Sequence, residues 1–476
     1  MKHRFLSFFI VVGIAVIGQS AEAAQEAAIP QPKVDERVEL LGILFRLAGA
    51  SEYQVRSFKE YDDAINQHFT PFKEHPAVLA AQSLRSTVGI SYDAVMSYAV
   101  HISIDDGRVV FPDENSEKTL KELDSRWTHE AAQSFAKQLN DFYVQSRFRE
   151  FFETHHGMYQ QTEAKIKTIT DTIDYSWFAR FYGEAHLERF HIVTSCISEQ
   201  GNYGVRCYFK DGNYEYFAIL STPGPSTDYN ENLVIILAIH EFNHSFCNPL
   251  VEKYLGELRP AALLVWPIVE PQMRMLAYGS PDTMLYEYLV TACEVRFWLG
   301  RGQKEDLADY RTRLYRSRGF LWIVELVNLL GEYESNRDKY PTLGDFMPEI
   351  VKMQNALVTE EYLADLKNYS PKITAINPPN GAKDVELNVS EISVTFDRPM
   401  GAGMMWFTRG EHEPYPKHDA AVWSADGLTC TGRNVGPLEP GTTYHIWFNY
   451  EGLYGFRCAN GIPLKPVHYT FTTKAE

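Results

Sequence analysis

The chain has 476 residues, of which 45% are hydrophobic and 13% aromatic, so it is long enough for two or three domains with large cores. The formal net charge of −17 argues against a nucleic-acid partner, because binding to phosphates needs a surplus of Lys and Arg on one face. We therefore expect no nucleic-acid partner.

The first 24 residues have the pattern of a signal peptide. A short basic start, KHR (2–4), precedes the apolar run FLSFFIVVGIAVIG (5–18), and small residues follow in SAEAA (20–24). The 14-residue apolar run is short for a membrane span of about 20 residues, which favours cleavage over retention as an anchor. We expect an exported protein, located in the periplasm or outside the cell, with no transmembrane segment in the mature chain. Residues 25–33 read as a loose leader.

Residues 34–175 are predicted to be mainly helical, because apolar residues recur at three- and four-residue steps. The clearest helical segments are 38–49, 91–103 and 129–159. After residue 175 the sequence pattern becomes typical of β-strands, and Asp211-Gly212 predicts a hairpin turn. The β-like segments are 189–198, 204–211 and 214–222.

Four more helical segments follow a loop over 221–230. They are 231–250, 282–300, 308–335 and 342–357. Pro249 is predicted to end the first of them.

The last part of the chain changes character again near 367–373. Alternating β-branched and aromatic residues, with Gly and Pro turns between them, predict a β-sandwich of about 100 residues. Its strands are expected at 392–400, 404–410, 442–450 and 467–475. The predicted organisation is therefore a signal peptide (1–24), a first domain (34–367) and an Ig-like β-sandwich (370–476). The first domain divides into a helical part (34–175), a central part (176–300) and C-terminal helices (301–367).

The cysteines of an exported chain can form disulfides. Short separations favour Cys196–Cys207 and Cys430–Cys458, and Cys247 and Cys293 would then be left together. The alternative is that several of the six are buried free thiols.

The segment AIHEFNHSF (238–246) contains the pattern H-E-x-x-H as His240, Glu241 and His244. On a helix, residues i and i+4 lie one turn apart on the same face, so both imidazoles can reach one metal ion. The uncharged flanks predict a buried helix, and a buried His-Glu-His group needs a partner such as a metal. We expect Zn²⁺ at His240 and His244, with Glu241 as general base for a zinc-bound water. The alternative is a core helix whose histidines hydrogen-bond internally.

A catalytic zinc site needs a third protein ligand. The downstream His of metzincins is missing, because Leu250 stands at its position, so a Glu from a later helix is expected, as in gluzincins. The candidates, in order, are Glu287, Glu294 and Glu270. Glu287 comes first because it lies mid-helix among apolar neighbours, and Glu270 last because flanking prolines argue against a helix there. The alternative for each is a salt bridge to Arg296 or Arg274.

Two other features of a peptidase site stay open. Strand 214–222 is the best candidate for pairing with an extended substrate, and the alternative is an interior strand. The group that stabilises the transition state is expected among Tyr278, Tyr286, Tyr288 and His191.

Residues 50–360 resemble a bacterial family of zincin-like proteins of uncharacterised role, the domain of unknown function 4932. The resemblance is carried by HEFNHSFCNP (240–249), GNYG (201–204), HPAV (75–78), SYDAVM (91–96), DFYVQSRFREFF (141–152) and YEYLVTA (286–292). It implies a metallopeptidase whose metal ligands match His240, His244 and Glu287, with Glu241 as base. Residues 370–476 resemble bacterial Ig-like domains of the surface-layer and adhesin type, which implies a fold but no function. That second resemblance is carried by 373–400, 438–448 and 461–473.

The sequence thus predicts an α+β protein: a mainly helical, zincin-like (gluzincin) metallopeptidase domain with a small β-sheet, followed by an Ig-like β-sandwich. The expected function is a secreted or periplasmic zinc-dependent peptidase whose substrate is a peptide or protein. The Ig-like domain would dock substrate, contact the envelope or the cell surface, or stabilise the peptidase domain. The alternative is a non-catalytic envelope binding protein on a zincin scaffold, and a third hypothesis is a metal-dependent hydrolase of glycan or amide bonds in the envelope.

Overall fold

The computed structural model describes residues 30–475 except 55–56, 184–188, 199–200, 302–304, 402, 409–412, 451–453 and 459–461. The predicted signal peptide (1–24) lies outside the described residues, as does the leader up to residue 29. The fold is α+β, as predicted, with about half of the chain in helices and the strands in small sheets. None of the described helices is both long and apolar enough to cross a lipid bilayer.

The described part of the chain contains fifteen α-helices and fourteen β-strands. The helices are α1 (Glu36–Leu47), α2 (Lys59–Phe69), α3 (Pro76–Val88), α4 (Asp93–His101), α5 (His129–Gln145), α6 (Phe148–Thr154), α7 (His156–Thr170), α8 (Ser176–Tyr182), α9 (Glu231–Lys253), α10 (Leu255–Met275), α11 (Pro281–Gly300), α12 (Glu305–Ser317), α13 (Ile323–Ser335), α14 (Leu343–Leu357) and α15 (Glu360–Tyr369). The strands are β1 (Ser103–Asp105), β2 (Arg108–Val110), β3 (Lys118–Thr119), β4 (Phe190–Ser195), β5 (Tyr203–Phe209), β6 (Tyr214–Ser221), β7 (Ile373–Asn377), β8 (Ala382–Val385), β9 (Glu391–Phe396), β10 (Trp406–Phe407), β11 (Val422–Trp423), β12 (Thr429–Arg433), β13 (Thr443–Phe448) and β14 (Val467–Thr473).

A four-stranded sheet of order β3-β5-β6-β4 forms the middle layer of the first domain. Side chains alternate between its faces, so that Phe217 and Ile219 pack against α1–α6, whereas Ala218 and Leu220 pack against α9–α14. Since both faces are buried, β6 needs apolar residues at successive positions, and its sequence YEYFAILS supplies them. The prediction that 214–222 is an edge strand for substrate is wrong, because β6 lies between β5 and β4. The interior-strand alternative is confirmed.

The last residue of the predicted leader, Lys33, pairs with the sheet. Lys33 forms a bridge with Val193: its N–H donates to Ile192 O at 2.9 Å, and its carbonyl accepts from the Thr194 N–H at 2.9 Å. The outer edge of β4 is therefore partly covered.

Two of the predicted helices are interrupted. The segment 129–159 is split into α5, α6 and α7, and Arg147 adopts a left-handed conformation (φ 54°) between the first two. The segment 308–335 is split into α12 and α13, where Gly319 has a φ of 103° and packs closely against Met273. Apolar periodicity continued across both breaks, so it gave no signal of them.

The prolines of α10 do not break the helix, contrary to the prediction for Glu270, which lies inside it. A proline removes the hydrogen bond to the carbonyl four residues earlier. For the prolines at 260, 267 and 271, that carbonyl belongs to Gly256, Leu263 and Pro267, which are exposed, so water can replace the missing donor.

The C-terminal region contains two four-stranded sheets, of orders β11-β12-β9-β7 and β10-β13-β14-β8. Alternate residues of β9 and β13 are buried, and Phe456 joins the two sheets through ring contacts with Phe396 and Phe448. This arrangement agrees with an Ig-like domain. The four predicted strands are present, and β7, β8, β11 and β12 are additional.

The predicted disulfides are wrong, because all six cysteines are free and buried. Cys207 Sγ donates to Val100 O at 3.1 Å, and Cys196 Sγ lies 3.7 Å from Thr222 Oγ1, so these two thiols have separate surroundings. Cys247 and Cys293 are neighbours, with their Sγ atoms 3.8 Å apart and no bond between them.

A buried carboxyl joins α1 to the end of β4. Glu39 is fully buried; its Oε2 accepts from Tyr61 Oη at 2.7 Å and its Oε1 accepts from Cys196 N at 2.8 Å. Burial raises the pKa of Glu39 from 4.5 to about 7, and these two hydrogen bonds offset only part of that shift. The folded protein therefore holds a proton here that the unfolded chain releases near pH 4.5.

Glu39→Gln is expected to remove a pH-dependent loss of stability. A raised carboxyl pKa in the folded state makes stability fall as pH rises from 4.5 to about 7, by about 3 kcal/mol at completion. Urea unfolding at pH 5 and pH 8 measures this, with Glu60→Gln, an exposed position on α2, as the matched control. Between pH 5 and pH 8, the parent and Glu60→Gln should lose most of this increment of about 3 kcal/mol, whereas Glu39→Gln should not. An equal loss in all three proteins would contradict the assignment.

Candidate metal site

Helix α9 begins at a local capping signal and runs past its proline. The Asn230 side chain accepts from the Leu233 N–H, which starts the helix. Pro249 was predicted to end it, but the helix continues to Lys253. The carbonyl that Pro249 leaves without a helical partner belongs to Ser245, and it accepts from Arg206 Nη1 at 2.9 Å. A side chain from β5 thus keeps the end of α9 in place.

Helix α11 supplies the other half of the site. Ser280 caps it by accepting from the Thr283 N–H, and Pro281 occupies the first helical position. Asn243 lies between α9 and α11: its side-chain oxygen accepts from Tyr182 Oη at 2.8 Å, and its Nδ2 lies 3.4 Å from Val290 O. The two helices are therefore held in register by a buried amide.

His240, His244 and Glu287 come together between these helices. His240 Nε2 lies 3.4 Å from Glu287 Oε2, and His244 Nε2 lies 3.5 Å from Glu287 Oε1. One ligand atom from each residue can be chosen so that all three lie within 4.8 Å of one another. The side chains are 15%, 13% and 8% exposed respectively, so the group is largely buried but reachable from solvent.

The other nitrogen of each imidazole has its own partner. His240 Nδ1 lies 3.4 Å from Glu294 Oε2, and His244 Nδ1 lies 3.1 Å from Asn248 Oδ1. Both partners are acceptors, so each Nδ1 can donate a proton to its partner while each Nε2 faces the Glu287 carboxylate.

The three candidate third ligands lie in different places. Glu287 meets both Nε2 atoms, whereas Glu294 meets only the Nδ1 side of His240 and also pairs with Arg311. Glu270 pairs with Arg274 on α10 at 2.8 Å, which is the alternative foreseen for it. Arg296 was the other foreseen partner, and it pairs instead with Glu334 of α13.

Glu241 lies beside this group and is only 5% exposed. Burial raises the pKa of Glu241, and His240 and His244 act against that shift. The backbone of α9 approaches β5 closely here, because a Cβ on Gly204 would lie 2.0 Å from Glu241 O. Glycine is needed at position 204 for this approach, and its N–H faces the Glu241 carboxylate.

Charge pairing inside the group is strong. Burial alone would raise the pKa of Glu287, but His244 and His240 outweigh it and hold that pKa below its usual value. Burial alone would lower the pKa of His240, but Glu287 and Glu294 outweigh it and raise that pKa. Each imidazole therefore stabilises a carboxylate that would otherwise be costly to bury.

Tyr278 is the one of the four predicted transition-state groups that adjoins the site. Burial and then the Glu287 carboxylate raise the pKa of Tyr278 well above its usual value, so its hydroxyl stays protonated and faces Glu287. Tyr288 stacks on Trp322 with ring centres 4.3 Å apart. His191 lies on β4 beside Glu215, and Tyr286 adjoins Asp282 and Glu252 near the start of α11.

Several residues of the site were not foreseen from the sequence. Asn248 could have been found, because it lies four residues after His244 on the same helical face. Arg206, Arg311 and Tyr315 come from distant segments, and Gly204 had a signal only as part of GNYG (201–204). Long-range pairing of this kind has no local pattern in a single sequence.

Comparison with protein families gives two matches. Residues 32–353 match the model of a family described as "Domain of unknown function (DUF4932)", and residues 367–473 match "Bacterial Ig-like domain". The first match covers more than half of the chain. A search of curated proteins found no match.

Comparison with solved structures returns surface-layer proteins at low similarity. The S-layer protein rSbsC(31-844) is 16% identical, with 50% of this chain and 33% of that chain covered and a TM-score of 0.16. Surface layer protein SbsC, domains 1-6, is 16% identical, with 51% of this chain and 33% of that chain covered and a TM-score of 0.16. The N-terminal part of the bacterial S-layer protein SbsC is 15% identical, with 52% of this chain and 60% of that chain covered and a TM-score of 0.17. The chain spans about a third of the length of the first two, and TM-scores this low do not describe a shared fold.

Proposed function

The chain belongs to the DUF4932 family, and we propose that it is a zinc-dependent peptidase of the gluzincin type. His240, His244 and Glu287 would hold the zinc, and Glu241 would be the general base. A donor set of two imidazoles and one carboxylate is that of catalytic zinc sites which leave one position open.

The distances between the donor atoms carry this proposal. Ligands about 2.0–2.1 Å from a tetrahedral zinc lie roughly 3.3–3.4 Å from each other. The His240 and His244 Nε2 atoms lie 3.4 and 3.5 Å from the two different oxygens of Glu287, and one ligand atom from each residue lies within 4.8 Å of the others, so the three side chains can converge on one ion. Glu287 Oε2 is moreover a buried oxygen without a hydrogen-bond partner among the described residues, and a cation would satisfy it.

The chemistry assigned to the chain follows from this arrangement. Zinc supplies, when bound, Lewis-acid activation of water and of the substrate carbonyl. Glu241 accepts a proton from the attacking water at its carboxylate and returns it to the leaving amine. Burial raises the pKa of Glu241, which favours its acceptance of a proton. Tyr278 donates its hydroxyl proton in a hydrogen bond to the carbonyl oxygen as negative charge develops there.

The same proposal includes export and a peptide or protein substrate. The sequence pattern of residues 1–24 supports export. The bacterial Ig-like domain at 367–473 is a kind of module that suits contact with the envelope or cell surface. The fold of that module does not by itself imply a function.

Metal removal is expected to abolish hydrolysis reversibly. The purified protein should hold about one equivalent of zinc and cleave an unfolded protein or a peptide library, and a strong chelator should remove both properties. Re-addition of zinc after removal of the chelator should restore cleavage. Zinc content is measured by atomic emission and cleavage by mass spectrometry of the products.

Two outcomes would contradict the proposal. Less than about half an equivalent of zinc, with no gain when zinc is added, favours the non-catalytic binding protein. Zinc-dependent release of fragments from cell-wall material, without cleavage of peptides, favours the envelope hydrolase.

A further inference from the structure

A second buried carboxylate lies behind His240, on the side away from Glu287. Glu294 of α11 is fully buried, and its Oε2 lies 3.4 Å from His240 Nδ1. It follows Glu287 by seven residues, which is about two helical turns or roughly 10 Å along the helix axis. The imidazole of His240 thus has one carboxylate on each side.

This position rules Glu294 out as a ligand of the same metal ion. The two nitrogens of an imidazole point away from each other, so an ion at Nε2 lies on the side of the ring opposite to Nδ1. Glu294 instead accepts the Nδ1 proton. A carboxylate in that place fixes the tautomer and ring orientation of a ligating histidine and increases its basicity.

Two side chains of α12, Arg311 and Tyr315, pair with the Glu294 carboxylate. Arg311 Nε and Nη2 lie 2.9 and 3.2 Å from its two oxygens, and Tyr315 Oη donates to the same carboxylate. Both oxygens of Glu294 thus have a donor on α12, in addition to the imidazole of His240. Side-chain contacts therefore connect Arg311 to Glu294 and Glu294 to His240, so α12 helps to support the site.

His244 has a different support. Its Nδ1 faces the neutral amide oxygen of Asn248, on its own helix, at 3.1 Å. Only one of the two histidines therefore receives a full negative charge from behind.

We propose that Glu294 is a positioning residue that holds His240 for metal binding and is itself held by Arg311 and Tyr315. The inference rests on the proposed function, since it assigns a role around the same zinc. It replaces the hypothesis that Glu294 is the alternative third ligand. Its consequence is that α12, which contributes no ligand, determines how tightly the metal binds.

The test compares the same substitution, Glu→Gln, in two ion pairs that each include a residue of α11. Glu294→Gln removes the negative charge next to His240 Nδ1. Glu334→Gln removes a carboxylate of α13 that pairs with Arg296 of α11 and does not face a proposed metal ligand. Zinc affinity is measured by competition with a chelator of known affinity, and the Co²⁺-substituted proteins give absorption spectra that report coordination geometry. Glu294→Gln should weaken zinc about 10- to 100-fold and shift the Co²⁺ bands, whereas Glu334→Gln should stay within about twofold of the parent.

The outcomes separate this inference from the proposed function. An affinity and a Co²⁺ spectrum in Glu294→Gln equal to those of the parent would overturn the inference and leave the peptidase untouched. A parent protein that binds no zinc would overturn both. Thermal unfolding of the metal-free proteins checks folding. If Glu294→Gln does not fold, Glu294→Asp decides, because it keeps the charge but withdraws it from His240, and an unchanged zinc affinity there would also overturn the inference.

Discussion

Glu241→Gln is expected to keep its zinc and to lose peptide hydrolysis by about 10²–10⁴-fold, which is the usual contribution of a general base. The amide of Gln cannot accept the proton of the attacking water. It retains the size of Glu and an oxygen that can face the Gly204 N–H, so the contact between α9 and β5 should persist. The loss should therefore fall on the chemical step and not on the fold or on metal content.

The measurement is kcat/KM on one identified peptide together with zinc content. Glu252→Gln is the matched control, because Glu252 lies on the same helix and is exposed. The control should have parental activity. A Glu241→Gln protein that cleaves the peptide as fast as the parent would show that the proton is taken elsewhere.

The expected loss also distinguishes the competing interpretations of H-E-x-x-H. A core helix whose histidines bond internally would make Glu241 a structural residue, and its replacement would change stability and not turnover. A non-catalytic zinc site would have no turnover to lose. Only the peptidase hypothesis expects both a parent that cleaves the peptide and a Glu241→Gln variant that is folded and zinc-loaded yet does not.

The helices and strands that lie near the site could be predicted from local pattern. Segment 282–300 appears as α11 (Pro281–Gly300), because Ser280-Pro281 is a capping signal and apolar residues continue to the end. The three β-like segments appear as β4, β5 and β6. What local pattern could not give was the strand order, since the parallel pairing of β4 with β6 depends on the path of the chain between them.

Prolines led to two wrong predictions about helices. The rule that proline ends a helix assumes that the freed carbonyl finds no other donor. In α9 the freed Ser245 carbonyl accepts from Arg206, which lies 39 residues earlier, and in α10 the freed carbonyls belong to exposed residues. Neither circumstance is visible in the neighbouring sequence.

The choice between Glu287 and Glu294 shows the same limit within the site. Residues seven apart lie on nearly the same face of a helix, so both were expected to face α9. Which one meets Nε2 depends on how far α11 is shifted along α9. The Ser280 cap and the buried Asn243 amide fix that shift, and the second of these is a tertiary contact.

Glu287→Gln is expected to weaken zinc binding by more than the 10- to 100-fold expected for a supporting residue, because it removes a ligand itself. Glu287 is the one residue whose carboxylate lies within 3.5 Å of both Nε2 atoms among the residues that the structure describes. A neutral amide oxygen is a poor zinc ligand, and it removes the charge that balances the ion. The fold should survive, because Gln has the same shape and places no uncompensated charge in the site.

The decisive comparison is among three Glu→Gln variants of the residues considered as third ligand. Chelator competition should rank the loss of zinc affinity as Glu287→Gln first, Glu294→Gln second and Glu270→Gln unchanged, since Glu270 lies in an exposed pair with Arg274. Hydrolysis at saturating zinc should follow the same order. If Glu294→Gln lost the metal and Glu287→Gln kept it, the ligand and the supporting carboxylate would have to be exchanged. The site would then require His240 to bind through Nδ1, which is the nitrogen that faces Glu294.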